Sequence, residues 1–350
     1  MSGKNKRILF VVFNTAVALC AIAGTALILV YGLKEGGPLA TITQSVWIAV
    51  CAAIAVAVLL PLNLIVHELG HVLFGLAAGL RPVSVQIGYF TVFRGGVRFS
   101  FNTDVGGMSA LLARNAKNLR GKMFAAALGG AVFNFLYAAV TLPLWFCLPS
   151  PATLFFVLLA PINLYEGLVA LYPAQRQSGA TDGALLVGLI KKQPFAEVML
   201  AVIKAQSTLI TGTFADIKRE WLFGVPVIRE DDPLFSALTQ LRWQYLFCKN
   251  DEKGAIAQLQ RLDDIFEYTE NADLACDLAY AYSILLPDNE KAKTYFQKAK
   301  AAKGSLSYAV AAAACGQAEI GAACERAEKE QWKGLRDLGF SLIERIPHII

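Results

Sequence analysis

Charge is scarce in this chain: Lys, Arg, Asp and Glu make up only 17% of 350 residues, against 56% hydrophobic residues. With a mean hydropathy of +0.49, that balance excludes an ordinary soluble protein of this length and predicts a multi-pass membrane protein. Cysteines are few and scattered: Cys20, Cys51, Cys147, Cys248, Cys276, Cys315 and Cys324 form an odd set with no C-x-x-C spacing. A disulfide framework and a cysteine zinc site are thereby excluded. The net charge is only +5, and the basic residues gather beside apolar runs, which speaks for membrane orientation and against nucleic-acid binding. Histidine occurs three times, and two of the three stand four residues apart.

Those two belong to His67-Glu68-Leu69-Gly70-His71, inside the apolar run 46–80. On a helix, residues four apart share a face, so both imidazoles can hold one metal ion with Glu68 beside it. The pattern is H-E-x-x-H, a zinc hydrolase signature in which the carboxylate takes a proton from a metal-activated water of pKa about 7. The alternative is packing or pairing inside a buried helix, but ionisable groups at that depth are costly and usually functional. Zinc needs a third protein ligand, and the remaining histidine, His348, lies at the far C-terminus. A carboxylate is therefore expected, with two candidates. Asp182 heads the apolar segment 184–190, where an aspartate also serves as a helix N-cap. Glu166 lies within a predicted span, at a depth where an unpaired carboxylate is expensive.

Taken in order, the chain opens with Lys4, Lys6 and Arg7 before an apolar run over 8–33. Ala21-Ile22-Ala23 imitates a signal-peptide cleavage site, but the run continues past it and predicts an uncleaved span with a cytoplasmic N-terminus. A second span enters at 46 or 47, and Pro61 is expected to kink or divide it. From 47 to 67 is roughly 30 Å of helix, which places His67 near the cytoplasmic boundary. Between 81 and 122 seven basic residues face one acid, Asp104, so this loop is cytoplasmic by the positive-inside rule. Within it, 83–87 and 97–101 alternate with period two around Gly95-Gly96, predicting a β-hairpin whose edge could hold an extended substrate peptide. The third span, 123–148, carries Gly129-Gly130, read as helix packing, and Asn134, whose buried amide needs partners. The fourth, 152–172, contains Pro161, Asn163 and Glu166 and returns the chain to the cytoplasm. Both termini are expected there, in a bacterial cytoplasmic membrane.

Beyond 192 the membrane character ends. The expected division is a membrane domain over 1–193, an amphipathic or linker region over 194–232, and a soluble helical domain over 233–350. Residues 274–286 and 290–302 around Pro287-Asp288-Asn289 look like a tetratricopeptide-type helical hairpin, whose expected use is binding a cytoplasmic partner. The fold class is thus mainly α: a polytopic helical membrane core with a small re-entrant β-hairpin, then an all-α C-terminal domain.

Over 46–190 these residues resemble the site-2 protease family of intramembrane zinc metalloproteases. His67-Glu68-Leu69-Gly70-His71 looks like that family's zinc motif, and Thr181-Asp182-Gly183 resembles its aspartate-glycine motif. Gly130 to Asn134 is similar to its glycine-proline-x-x-asparagine element, and the hairpin resembles its re-entrant β element. The resemblance implies Zn²⁺ held by His67, His71 and Asp182, Glu68 as catalytic base, and Asn134 on the substrate side, where Gly95 and Gly96 of the hairpin are also expected. It also implies a membrane protein substrate cleaved in a transmembrane segment. Ala131 departs from the family's usual proline, Ala170 from a common asparagine, and the stretch 173–182 is longer than usual. Two other readings compete: a proteolytically inactive scaffold that binds membrane helices, and a transporter. The transporter predicts ionisable groups spread over several spans, whereas here they cluster on two.

Overall fold

Long apolar runs satisfy their backbone polar groups as helices, and that is what the longest runs here do. In the computed structural model, which describes residues 3–33, 47–93, 96–99, 106–147, 156–176, 179–269 and 271–347, the chain divides into two compact units, Met1–Lys191 and Lys192–Ile350. The first unit holds helices α1 (Gly3–Leu33), α2 (Trp47–Ala77) and α3 (Leu119–Cys147). Two shorter helices follow, α4 (Ala160–Leu171) and α5 (Asp182–Lys191). Among the described residues, two stretches are long and apolar enough to cross a bilayer, Ile8–Ile28 and Leu119–Leu144. The helix α2 runs unbroken through position 61, so Pro61 does not divide it. Within the expected fourth span the described residues include the 12-residue helix α4, about 18 Å long against a hydrocarbon core of about 30 Å. Pro161 sits in its first turn, where a missing N–H costs nothing and the fixed φ starts a helix. Residues 152–155 lie outside the described residues.

Helix α1 packs on α4 and the chain just beyond it. The Tyr165 hydroxyl donates to Asn14 Oδ1 at 2.8 Å, and the Phe13 ring stacks on Tyr172 with centroids 4.6 Å apart.

The predicted hairpin is a four-stranded antiparallel sheet. Its strands are β1 (Leu80–Ile87), β2 (Phe90–Phe93), β3 (Gly96–Phe99) and β4 (Gly107–Ala113), in the order β3-β2-β1-β4. The arms expected to pair, 83–87 and 97–101, are not neighbours: β1 pairs with β2 and β4, and β3 pairs with β2. The reason is Gly88, whose φ of +57° allows a two-residue turn at once and sends Phe90-Thr91-Val92-Phe93 back along β1. The register of β1 on β4 slips between Pro82 and Ser84, a bulge at a proline that has no N–H for the ladder. A second, two-stranded ladder pairs β5 (Gln175–Arg176) with β6 (Gly179–Ala180). It takes up the extra length before Asp182.

The second unit is helical throughout its described residues: α6 (Pro194–Leu209), α7 (Arg219–Phe223), α8 (Pro233–Cys248), α9 (Glu252–Thr269), α10 (Ala272–Tyr280), α11 (Asn289–Lys298), α12 (Leu306–Ala314), α13 (Ile320–Glu328) and α14 (Lys333–Ile343). Asp232, Asn271, Asp288 and Ser305 cap helices with their side chains, each accepting from an otherwise orphaned backbone N–H. Residues 194–232, expected from the sequence to be an amphipathic or linker region, give Val198, Leu209, Phe214, Ile217 and Leu222 to the core. Residues 274–302 form a helical hairpin in which Ala275 and Ala279 are buried and a π turn over Ala281–Leu285 extends α10.

One buried carboxylate in this core sets a pH dependence. Asp277 Oδ2 accepts from Gln240 Nε2 at 3.0 Å and Trp243 Nε1 at 3.1 Å, yet burial outweighs both and pushes its pKa up to about 7. The folded chain then binds a proton that the unfolded chain has already released between pH about 4 and about 7, so stability falls as pH rises through that window. The loss is on the order of 4 kcal/mol. Asp277→Asn is expected to raise the urea midpoint of the full chain at pH 8 and leave it unchanged at pH 4, followed by tryptophan fluorescence. Equal midpoints for the two proteins at pH 8 would show that Asp277 carries no such burden.

Candidate metal centre

The helix α2 brings His67 and His71 to one face, one turn apart, with their Nε2 atoms 3.0 Å apart. Asp182, the first residue of α5, puts Oδ2 at 3.1 Å from His67 Nε2 and 3.4 Å from His71 Nε2. Two imidazoles and a carboxylate are the donor set zinc takes. Bonds of 2.0–2.2 Å at tetrahedral angles would set the donors about 3.3–3.5 Å apart, close to the observed triangle. Among the described residues this is the group of His, Cys, Asp and Glu that can hold a metal ion. Glu166 is not part of it; its carboxylate accepts instead from Asn63 Nδ2, one turn before His67.

Local sequence explains why Asp182 is free for this position. Thr181, not Asp182, caps α5: its Oγ1 accepts from the Ala184 N–H at 3.2 Å and donates to the Tyr172 carbonyl at 2.7 Å. Gly183 then lets α5 cross the end of α4, because a Cβ there would lie 1.9 Å from the Leu171 carbonyl oxygen. Capping, ligation geometry and close packing thus fall to three successive residues.

The two glycines of α3 divide their work. Gly129 meets Gly70 of α2 backbone to backbone, and a Cβ on either would lie 2.3 Å from the other's carbonyl oxygen. Gly130 faces the imidazoles: a Cβ there would lie 2.6 Å from His71 Nε2 and 2.7 Å from His67 Cε1. The reading of this pair as packing therefore holds for Gly129 and misses Gly130.

The far ring nitrogens fix the tautomers. His71 Nδ1–H donates to the Ala126 carbonyl at 2.8 Å, which leaves Nε2 with its lone pair toward the metal position. His67 Nδ1 lies 3.0 Å from the Asn134 amide nitrogen, while Asn134 Oδ1 is buried without a hydrogen-bond partner. Turning that amide over places Oδ1 on His67 Nδ1–H and frees His67 Nε2 in the same way. Asn134, expected on the substrate side, stands behind a metal-facing histidine and is fully buried. Gly96 begins β3 with a φ of +143°, separated from β4 by both β2 and β1 in the sheet; Gly95 and His348 lie outside the described residues.

Glu68 is 3% exposed, and its Oε2 accepts from the Ser109 hydroxyl of β4. Sequence reasoning missed Ser109, Ala126 and Asn63. Only Asn63 carried a signal: it is a polar residue four before His67, on the same helix face of an apolar run.

A donor triangle of this kind with a carboxylate alongside is one that metallopeptidases use. The chain is a member of peptidase family M50, the site-2 protease family, whose profile matches residues 54–313. Membership makes it a membrane-associated metallopeptidase. Among curated proteins and solved structures, none matches the chain at a significant level.

Proposed function

We propose that the chain is an intramembrane zinc metalloendopeptidase acting on a transmembrane or membrane-inserted segment of a protein substrate, in regulated proteolysis or peptide maturation. The observation that carries this reading is the triangle of His67 Nε2, His71 Nε2 and Asp182 Oδ2 with Glu68 beside it on α2. Zn²⁺ bound there would supply Lewis acidity and a water of lowered pKa. Glu68 takes the proton of the attacking water as the new C–O bond forms at the scissile carbonyl. It then gives that proton to the amide nitrogen as the C–N bond breaks, leaving a carboxylate end and an amine end.

A helical substrate has its carbonyls engaged in its own hydrogen bonds, so it must unwind before attack. The strand β4 lies at one end of the sheet order, and its outer edge offers the backbone groups that hold an extended segment by strand addition. A membrane-embedded first unit with both termini in the cytoplasm is part of this reading; the apolar outward residues Leu19, Ile22 and Leu27 of α1 support its lipid contact, since a lipid surrounding would cover them. In the second unit the tetratricopeptide-like hairpin over α10 and α11 is the proposed site for a cytoplasmic protein partner.

The test is metal and activity together. Purified full-length chain in detergent should contain one zinc, and a chelator should remove both the zinc and cleavage of fluorescent peptides carrying an apolar transmembrane segment. Added zinc should restore both. Chain purified without metal, or cleavage indifferent to the chelator, would overturn the proposal.

A further inference from the structure

The strand β4 lies along α2 and touches it through alternate residues. Side chains of a strand alternate between faces, so Gly107, Ser109 and Leu111 share one side. On the helix, Glu68 and Gly75 are seven residues apart and share one face. A Cβ on Gly107 would lie 2.1 Å from Glu68 Oε1, so the strand passes this carboxylate at backbone contact. The Ser109 hydroxyl donates to Glu68 Oε2. Leu111 fills the notch left by Gly75, where a Cβ would lie 2.8 Å from Leu111 Cδ1, and is itself 6% exposed.

We propose that β4 is part of the reaction centre: the Leu111–Gly75 contact sets its register on α2, and that register holds Ser109 against Glu68 as the positioning residue of the base. The inference rests on the metallopeptidase reading of Glu68. A glutamate side chain has several rotatable bonds, and one charge-assisted hydrogen bond in a buried site is enough to choose among its rotamers. With Oε2 held by Ser109, Oε1 is the oxygen left to accept a proton, and Gly107 is the residue that leaves it room. Because the same strand offers its outer edge to an extended segment, substrate docking and orientation of the base share one element.

A peptidyl hydroxamate with two apolar residues is the probe, since it chelates zinc through two oxygens and gives its proton to the adjacent carboxylate. It needs no knowledge of the natural substrate. In zinc-loaded full-length chain, Ser109→Ala is expected to bind the probe about tenfold more weakly, the size of one hydrogen bond to a charged group, with zinc content unchanged. Ser109→Thr, which keeps the hydroxyl, should bind as wild type does. Leu111→Ala, which leaves Ser109 in place but loosens the register, should weaken the probe while retaining zinc. Wild-type affinity in Ser109→Ala, or a Thr variant as weak as the Ala variant, would overturn the inference and leave the metallopeptidase reading standing. Wild-type chain that takes up no zinc would remove both.

Discussion

Glu68→Gln is expected to leave a folded, zinc-loaded chain with no measurable cleavage. Glutamine has nearly the same shape, and its carbonyl oxygen can still accept from the Ser109 hydroxyl that now holds Glu68 Oε2, so α2 and β4 keep their contact. The metal donors are untouched, because His67, His71 and Asp182 form their triangle without Glu68. What is lost is the proton acceptor: an amide does not take a proton from water near neutral pH, and positioned acid–base catalysis is worth roughly 10²–10⁴ in rate. Zinc content and peptide cleavage measured on the same preparation decide the matter. Cleavage within about tenfold of wild type would leave too little rate for a general base to explain and would remove Glu68 from that role. The same variant should retain its substrate, so proteins that co-purify with it and not with wild type identify what is cut.

Gly130→Ala should empty the metal site without changing any of its donors. The added methyl would sit 2.6 Å from His71 Nε2 and 2.7 Å from His67 Cε1, distances no real Cβ contact tolerates, so both imidazoles must swing away. Moving α3 back is not an option, because Gly129 and Gly70 already hold the two helix backbones in contact and Ala131 beside them is fully buried. Disturbing the support of a metal ligand typically costs 10–100-fold in affinity, and displacing two ligands should cost at least about 100-fold. Competition against a chromophoric chelator measures it. Gly24→Ala is the control, since a Cβ there would meet Pro161 at an ordinary 3.4 Å and should leave zinc binding alone. Equal zinc affinity in Gly130→Ala and wild type would show that the imidazoles are not where this packing puts them.

Residues whose meaning is local were legible. His67 and His71 declare a shared helix face by their spacing, and α2 realises it. The β character of the loop after α2 was visible in its alternation, but the pairing was not. A four-residue strand between Gly88 and Gly95-Gly96 carries too short a pattern to compete with the longer arms, and it is the turn at Gly88 that decides the order. The same holds for 214–232, whose charges and prolines read as a linker although Phe214, Ile217 and Leu222 are core residues. Short apolar patterns broken by prolines have no period to count, and their burial depends on the helices they meet. Ser109 and Ala126 left no trace at all, since one is a serine in a strand and the other acts through its backbone carbonyl.

By itself the sequence determined that this chain has apolar helices, a histidine pair able to share a metal ion, a glutamate beside it, and a limited choice of third donor. Hydropathy and i, i+4 spacing are properties of neighbouring residues, so folding does not rewrite them. Only the tertiary structure decided that Asp182 and not Glu166 faces the imidazoles, that Asn134 stands behind His67, that Gly130 opens the space the rings occupy, and that β4 reaches Glu68. Each of these joins residues dozens to more than a hundred positions apart, brought together by how helix and strand surfaces fit, and no local pattern records that fit.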